Sequence, residues 1–154
     1  MDKRTVVMQM NHLVNEYVEQ LDLDVLADRM EKEYVELIKE LENKTPIGWL
    51  PETISVSAND IDVGRLEAYL KDKLYGLIYD LIDLCKVNPE RISVKLHKML
   101  EYVMDYLVKN SVIVFVFGYS KIAQELAEEN LKTLKKRIFE LFGITEDEEC
   151  AKYV

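Results

Sequence analysis

Histidine and cysteine are scarce in this 154-residue chain, with two of each. Two cysteines cannot build a disulfide framework, so both are expected as reduced thiols, Cys85 on an apolar stripe and Cys150 in an acidic tail. The residues three before His12 and His97 are Gln9 and Val94, so the Glu-x-x-His pairs of a di-metal bundle are missing. Two histidines four apart around a glutamate, as on a zinc-protease helix, are missing too. His12 and Glu16 sit one turn apart, which suits a solvated hydrogen bond. No metal and no cofactor is the expectation. The glycines Gly48, Gly64, Gly76, Gly118 and Gly143 stand alone, so no phosphate-cradling loop is encoded. No serine or cysteine has the companions of a nucleophile.

Long apolar runs are also lacking. The longest, residues 112–117, is far below the ~20 needed to span a bilayer. Residues 1–5 lack the apolar core of a secretory signal. The expectation is a cytoplasmic protein with no membrane contact. Basic charge is in deficit, with 20 Lys and Arg against 29 Asp and Glu and a net charge of -9. An acidic surface repels phosphate, which disfavours an extended nucleic-acid footprint and leaves protein partners in view. Abundant Glu and Lys with sparse Gln, Ala and Gly resemble the composition of heat-adapted proteins built on surface ion pairs.

What the chain does have is a helical rhythm. Val6, Met10, Leu13, Val14, Tyr17, Val18 and Leu21 recur at steps of three and four, as do Leu23, Leu26, Met30, Tyr34, Leu37, Ile38 and Leu41. That spacing lines one side of a 3.6-residue helix. The break at Asp22 and Asp24 supplies an N-cap for the second helix. The connection is so short that the two are expected as an antiparallel hairpin. A third helix carries Val63, Leu66, Leu70, Leu74, Leu77, Ile78, Leu81 and Cys85, with Tyr75, Tyr79 and Ile82 as a second stripe. It is expected to be the central, longest one. Asn88-Pro89 opens a fourth helix bearing Ile92, Leu96, Met99, Leu100, Val103 and Leu107, since proline is tolerated at the first helical position. Ile122, Leu126, Leu134, Ile138 and Leu141 mark a fifth, stopped at Gly143 with Ile144 as its apolar follow-up.

The fold expected is all-α: a single-domain bundle of about five amphipathic helices over residues 1–144, with an acidic flexible tail at 145–154. The run at 112–117 is β-branched and aromatic and is also compatible with a strand. A minor two-stranded element pairing 53–57 with 112–117 is therefore allowed, although the helical neighbours favour helix. Residues 43–61 interrupt the rhythm and hold Pro46, Gly48, Trp49 and Pro51. Ile47, Trp49 and Leu50 would cap an open end of the bundle, or Trp49 would contact a partner or a ligand.

Two tyrosine pairs stand beside the main stripes: Tyr75 with Tyr79, and Tyr102 with Tyr106. Tyrosine joins a large apolar ring to a polar tip and is enriched at protein interfaces. These four, with Trp49, are the expected partner-binding residues. The function they suggest is a non-enzymatic helical protein–protein interaction module, self-associating or a subunit of a larger assembly. An acidic mimic of nucleic acid that occupies a basic target belongs to the same class. Lys132, Lys135, Lys136 and Arg137 complement the negative end of the last helix, or form a small phosphate contact.

The alternative is enzymatic. Arg91 and His97, in Arg91-Ile92-Ser93-Val94-Lys95-Leu96-His97, resemble the ribonuclease motif of HEPN-type helical domains. The resemblance covers this heptapeptide alone. It implies metal-independent RNA cleavage, with His97 in proton transfer and Arg91 on the phosphate. Six residues on a regular helix set the two side chains about 120° apart. Ile92 stands where that motif usually has a polar residue.

Overall fold

The computed structural model describes residues 1–42 and 54–152. The chain is an all-α single bundle of five long helices. They are α1 (Lys3–Glu19), α2 (Leu23–Leu41), α3 (Val63–Tyr79), α4 (Pro89–Phe117) and α5 (Lys121–Leu141), followed by a single turn, α6 (Glu149–Lys152). Among the described residues no strand occurs. No described helix is long and apolar enough to cross a membrane.

Local chemistry sets the ends. The side chains of Asp2, Asp22, Asp62, Asn88 and Ser120 each accept a hydrogen bond from a free amide of the helix that follows. Such caps satisfy donors that the helix itself leaves open. Pro89 occupies the first turn of α4. Gly118, at φ 61°, ends α4, and Gly143, at φ 67°, follows α5. Past Tyr79, α3 widens into a π turn over Asp80–Leu84, and a 3-10 turn at Ala58–Asp60 precedes α3.

The inward stripes match the spacing of the sequence. Val6, Met10 and Val14 of α1, Leu70, Leu74 and Ile78 of α3, and Ile92, Met99 and Val103 of α4 are essentially without solvent contact. They form one core with Leu134 and Ile138 of α5. No charged side chain is buried among the described residues.

Helix over 112–117 is borne out and the allowed two-stranded alternative is not, while two other expectations are corrected. The run at 112–117 is the end of α4, with Val112 and Ile113 buried against Tyr34, Leu37 and Leu41 of α2 and Ala123 of α5. No ribbon forms with 54–57, and Thr53 lies outside the described residues. Helical partners on either side bury Val112 and Ile113, and this tertiary packing overrides the β-propensity of the run. The central helix is α4, not α3: it has 29 residues, about 44 Å at 1.5 Å per residue, and packs against α1, α2, α3 and α5. Its reach comes from the fusion of that run to the segment before it.

Finally, α1 and α2 are not an antiparallel hairpin. Gln9 of α1 accepts from Ser93 near the start of α4, Arg29 of α2 pairs with Asp105 midway, and Leu37 and Leu41 pack near its end. The two helices therefore advance in the same sense along α4. Stripe spacing reports which face is apolar and is silent on direction.

Candidate functional site

The four tyrosines do not share one face. Tyr75 and Tyr79 pack together with ring centroids 4.5 Å apart and ring planes tilted by 40°. The Lys3 ammonium of α1 lies 3.8 Å over the Tyr79 ring and also pairs with Asp83 at 3.0 Å. Tyr102 and Tyr106 lie in the groove between α4 and α5. The Arg137 guanidinium sits 3.9 Å from the Tyr102 ring centroid, and Lys73 sits 5.3 Å from that of Tyr106. Burial pushes the Tyr106 hydroxyl above its ordinary range, against a hydrogen bond with Asn110 that lowers it. Three of the four rings are thus met by cations of their own chain, each a cation–π contact. Tyr75 is the exposed one. Trp49 lies outside the described residues.

Arg91 and His97 both face solvent on α4. The helix is α-helical from Pro89 to Phe117, and its regular geometry keeps the two about 120° apart. Arg91 is engaged elsewhere: its Nη2 donates to the Phe142 carbonyl at 3.1 Å, which caps the end of α5. With Val94, Lys95, Leu141 and Phe142 it lines a cleft of about 160 Å³. Small-molecule sites typically run to ~300–1,000 Å³, so this cleft is too small for such a ligand.

Three of the four basic side chains of the α5 cluster, Lys135, Lys136 and Arg137, are engaged within the chain. Arg137 donates to Asp105 at 3.2 Å, Lys136 approaches Glu146 at 3.9 Å, and Lys135 lies close enough to Asp80 to stabilise its charge. Asp105 is a residue that the sequence reading missed. Its second oxygen is held by Arg29, so one carboxylate joins α2, α4 and α5. An aspartate between two stripes carries no periodic signal, and its partners are distant in sequence.

The uncovered feature is the turn between α4 and α5. Val112 and Ile113 point inward and Val116 and Phe117 are half-buried, while Val114, Phe115, Tyr119 and Ile122 face water. Phe115 is 61% exposed and Tyr119 83%. Arg65 of α3, which donates to Tyr69 at 3.0 Å, lies within electrostatic reach of Tyr119. Residues 106–124 contain no aspartate or glutamate and only two lysines, in a chain with 29 acidic residues. Other exposed apolar side chains, such as Met8, Val25 and Val94, are scattered singly over helix outer faces, which is ordinary for a folded surface. Four within nine residues is a patch, the kind that marks interaction sites. The signal was present in the 112–117 run: read as helix, it has more apolar residues than one face can hold.

Comparison with known proteins finds no match: no family model, no curated protein and no solved structure.

Proposed function

We propose that this chain is a non-enzymatic helical interaction module that self-associates through the α4–α5 turn. The observation that carries the reading is the exposed Val114, Phe115, Tyr119 and Ile122 on an acid-free stretch. Covering apolar surface contributes about 25 cal/mol per Å², and aromatic anchors dominate such contacts.

Charge favours a second copy as the occupant. The whole chain carries -9, so two copies meeting on most faces would stack carboxylates. At this turn the segment 106–124 adds no carboxylate of its own to that repulsion, and a two-fold contact would bring the same patch from each side. The intramolecular cations over Tyr79, Tyr102 and Tyr106 leave those rings a lesser part in docking.

Light scattering at two protein concentrations tests the proposal. The expected result is a mass that rises toward a dimer with concentration, and rises further with salt as screening weakens the repulsion between acidic copies. A monomeric mass at every concentration and ionic strength would remove self-association.

A further inference from the structure

The groove between α4 and α5 gathers positive charge in a chain that carries -9 overall. Asp105 and Lys109 stand one turn apart on α4, and Asn130, Thr133 and Arg137 line the groove from α5. Arg29 reaches Asp105 from α2, and the Lys73 ammonium of α3 lies 5.3 Å from the Tyr106 ring centroid. Among the described residues lining the groove, Asp105 is the one carboxylate. It serves Arg29 and Arg137 together, so one negative charge answers two guanidiniums. Glu101, one turn before Asp105, pairs with Lys98 instead, at 3.4 Å. Lys109 and Lys73 form no ion pair among the described residues. Four cations thus stand against one carboxylate, and Asp105 and Arg137 are half-buried, where salt screens them less than on an open surface.

We infer that this groove is an anion site and that its ligand is a phosphate group. Lys109 offers a point charge, and Arg137 a planar fork of which Nη1 is held by Asp105 at 3.2 Å. Asn130 spends one amide hydrogen on Asn110, at 3.2 Å, and has a second to give. A phosphate presents three acceptor oxygens even as an ester, enough for these three donors, where a carboxylate presents two. The space between the helices is about 20 Å³, room for a single water. The phosphate therefore sits at the mouth, beside the exposed Lys109 and Thr133, and its fourth oxygen is open to esterification.

Isothermal titration of the full chain with inorganic phosphate, against chloride at matched ionic strength, tests the inference. Saturable binding is expected, with a melting temperature that rises as phosphate is added. Lys109→Gln should weaken binding about tenfold or more, the loss of one charged hydrogen bond. Lys132→Gln makes the same change in net charge on α5 outside the groove and should leave binding nearly unchanged. Asp105→Asn should act in the opposite sense. It removes the groove's carboxylate and frees both guanidiniums, so phosphate should bind several-fold tighter although the variant is less stable without it. Glycerol 3-phosphate separates the sources: tighter binding than inorganic phosphate assigns an ester as the ligand, weaker binding the free ion. Circular dichroism checks that each variant is folded. No saturable binding, equal losses in Lys109→Gln and Lys132→Gln, or weaker binding in Asp105→Asn would each overturn the inference.

Discussion

Asp105 on α4 accepts from Arg137 of α5 on one oxygen, 3.2 Å away, while Arg29 of α2 holds the other. One carboxylate a third exposed to solvent thus ties three helices together. Exposed pairs contribute little, about 0–1 kcal/mol, whereas a shared acceptor leaves two guanidiniums unpaired when it is lost. Asp105→Asn is expected to lower stability by about 1–2 kcal/mol. Arg29→Gln should cost less, because Arg137 keeps its partner. Urea midpoints at constant m-value read both changes, and high salt should narrow the difference between them.

The assignment of helix faces is tested by a contrast. Leu74 on α3 is wholly buried between α1 and α4, whereas Val94 on α4 is 78% exposed. Leu74→Ala is expected to cost about 2–5 kcal/mol through lost burial and the cavity it leaves. Val94→Ala should stay within about 0.5 kcal/mol of the parent. Equal effects in thermal or urea unfolding would mean that the stripes are misplaced.

Two glycines should respond in opposite senses. A Cβ at Gly76, inside α3, or at Gly118, at the end of α4, meets nothing within 4 Å, so neither substitution clashes. Gly118 has φ +61° with ψ −133°, a conformation that an L side chain rarely adopts. Gly118→Ala is therefore expected to destabilise by about 1–3 kcal/mol, and Gly76→Ala to stabilise by about 0.5–1 kcal/mol. Melting temperatures of the two variants should fall on either side of the parent.

Burial, with Asp83 nearby, holds the Asp80 carboxyl above the ordinary carboxylate range in spite of Lys135. A folded-state value above the unfolded one means that the neutral form favours the fold. That contribution is whole below pH ~3.9, the ordinary aspartate value, and is lost as pH rises through the raised folded value. In its ionised form Asp80 works against folding. Asp80→Asn is expected to raise the urea midpoint at pH 7, and the advantage should vanish in acid.

How far the fold was legible depends on which physical signal each element carries. Val6, Met10 and Val14, or Leu74, Leu77 and Ile78, are spaced so that only a helix puts them on one side, and there they lie. Asp22, Asn88-Pro89 and Gly143 punctuate the chain by local hydrogen bonding and backbone preference, which a sequence states directly. Direction is different. The shared sense of α1 and α2 along α4 is set by contacts such as Ser93 with Gln9 and Arg29 with Asp105, which no spacing encodes. The site was harder still. Tyr79, Tyr102 and Tyr106 pair at helical steps, yet the cations over them come from α1, α5 and α3. Phe115 was visible only as one member of an apolar run, and its outward aim needed the helix phase fixed by Val112 and Ile113.

Sedimentation equilibrium of the parent, of Phe115→Ser/Tyr119→Ser and of a Val94→Ser control tests the central claim most directly. Parent and control are expected to associate alike, while the double variant remains folded and sediments as a monomer. Association unchanged in the double variant, or a parent that is monomeric throughout, would contradict the account.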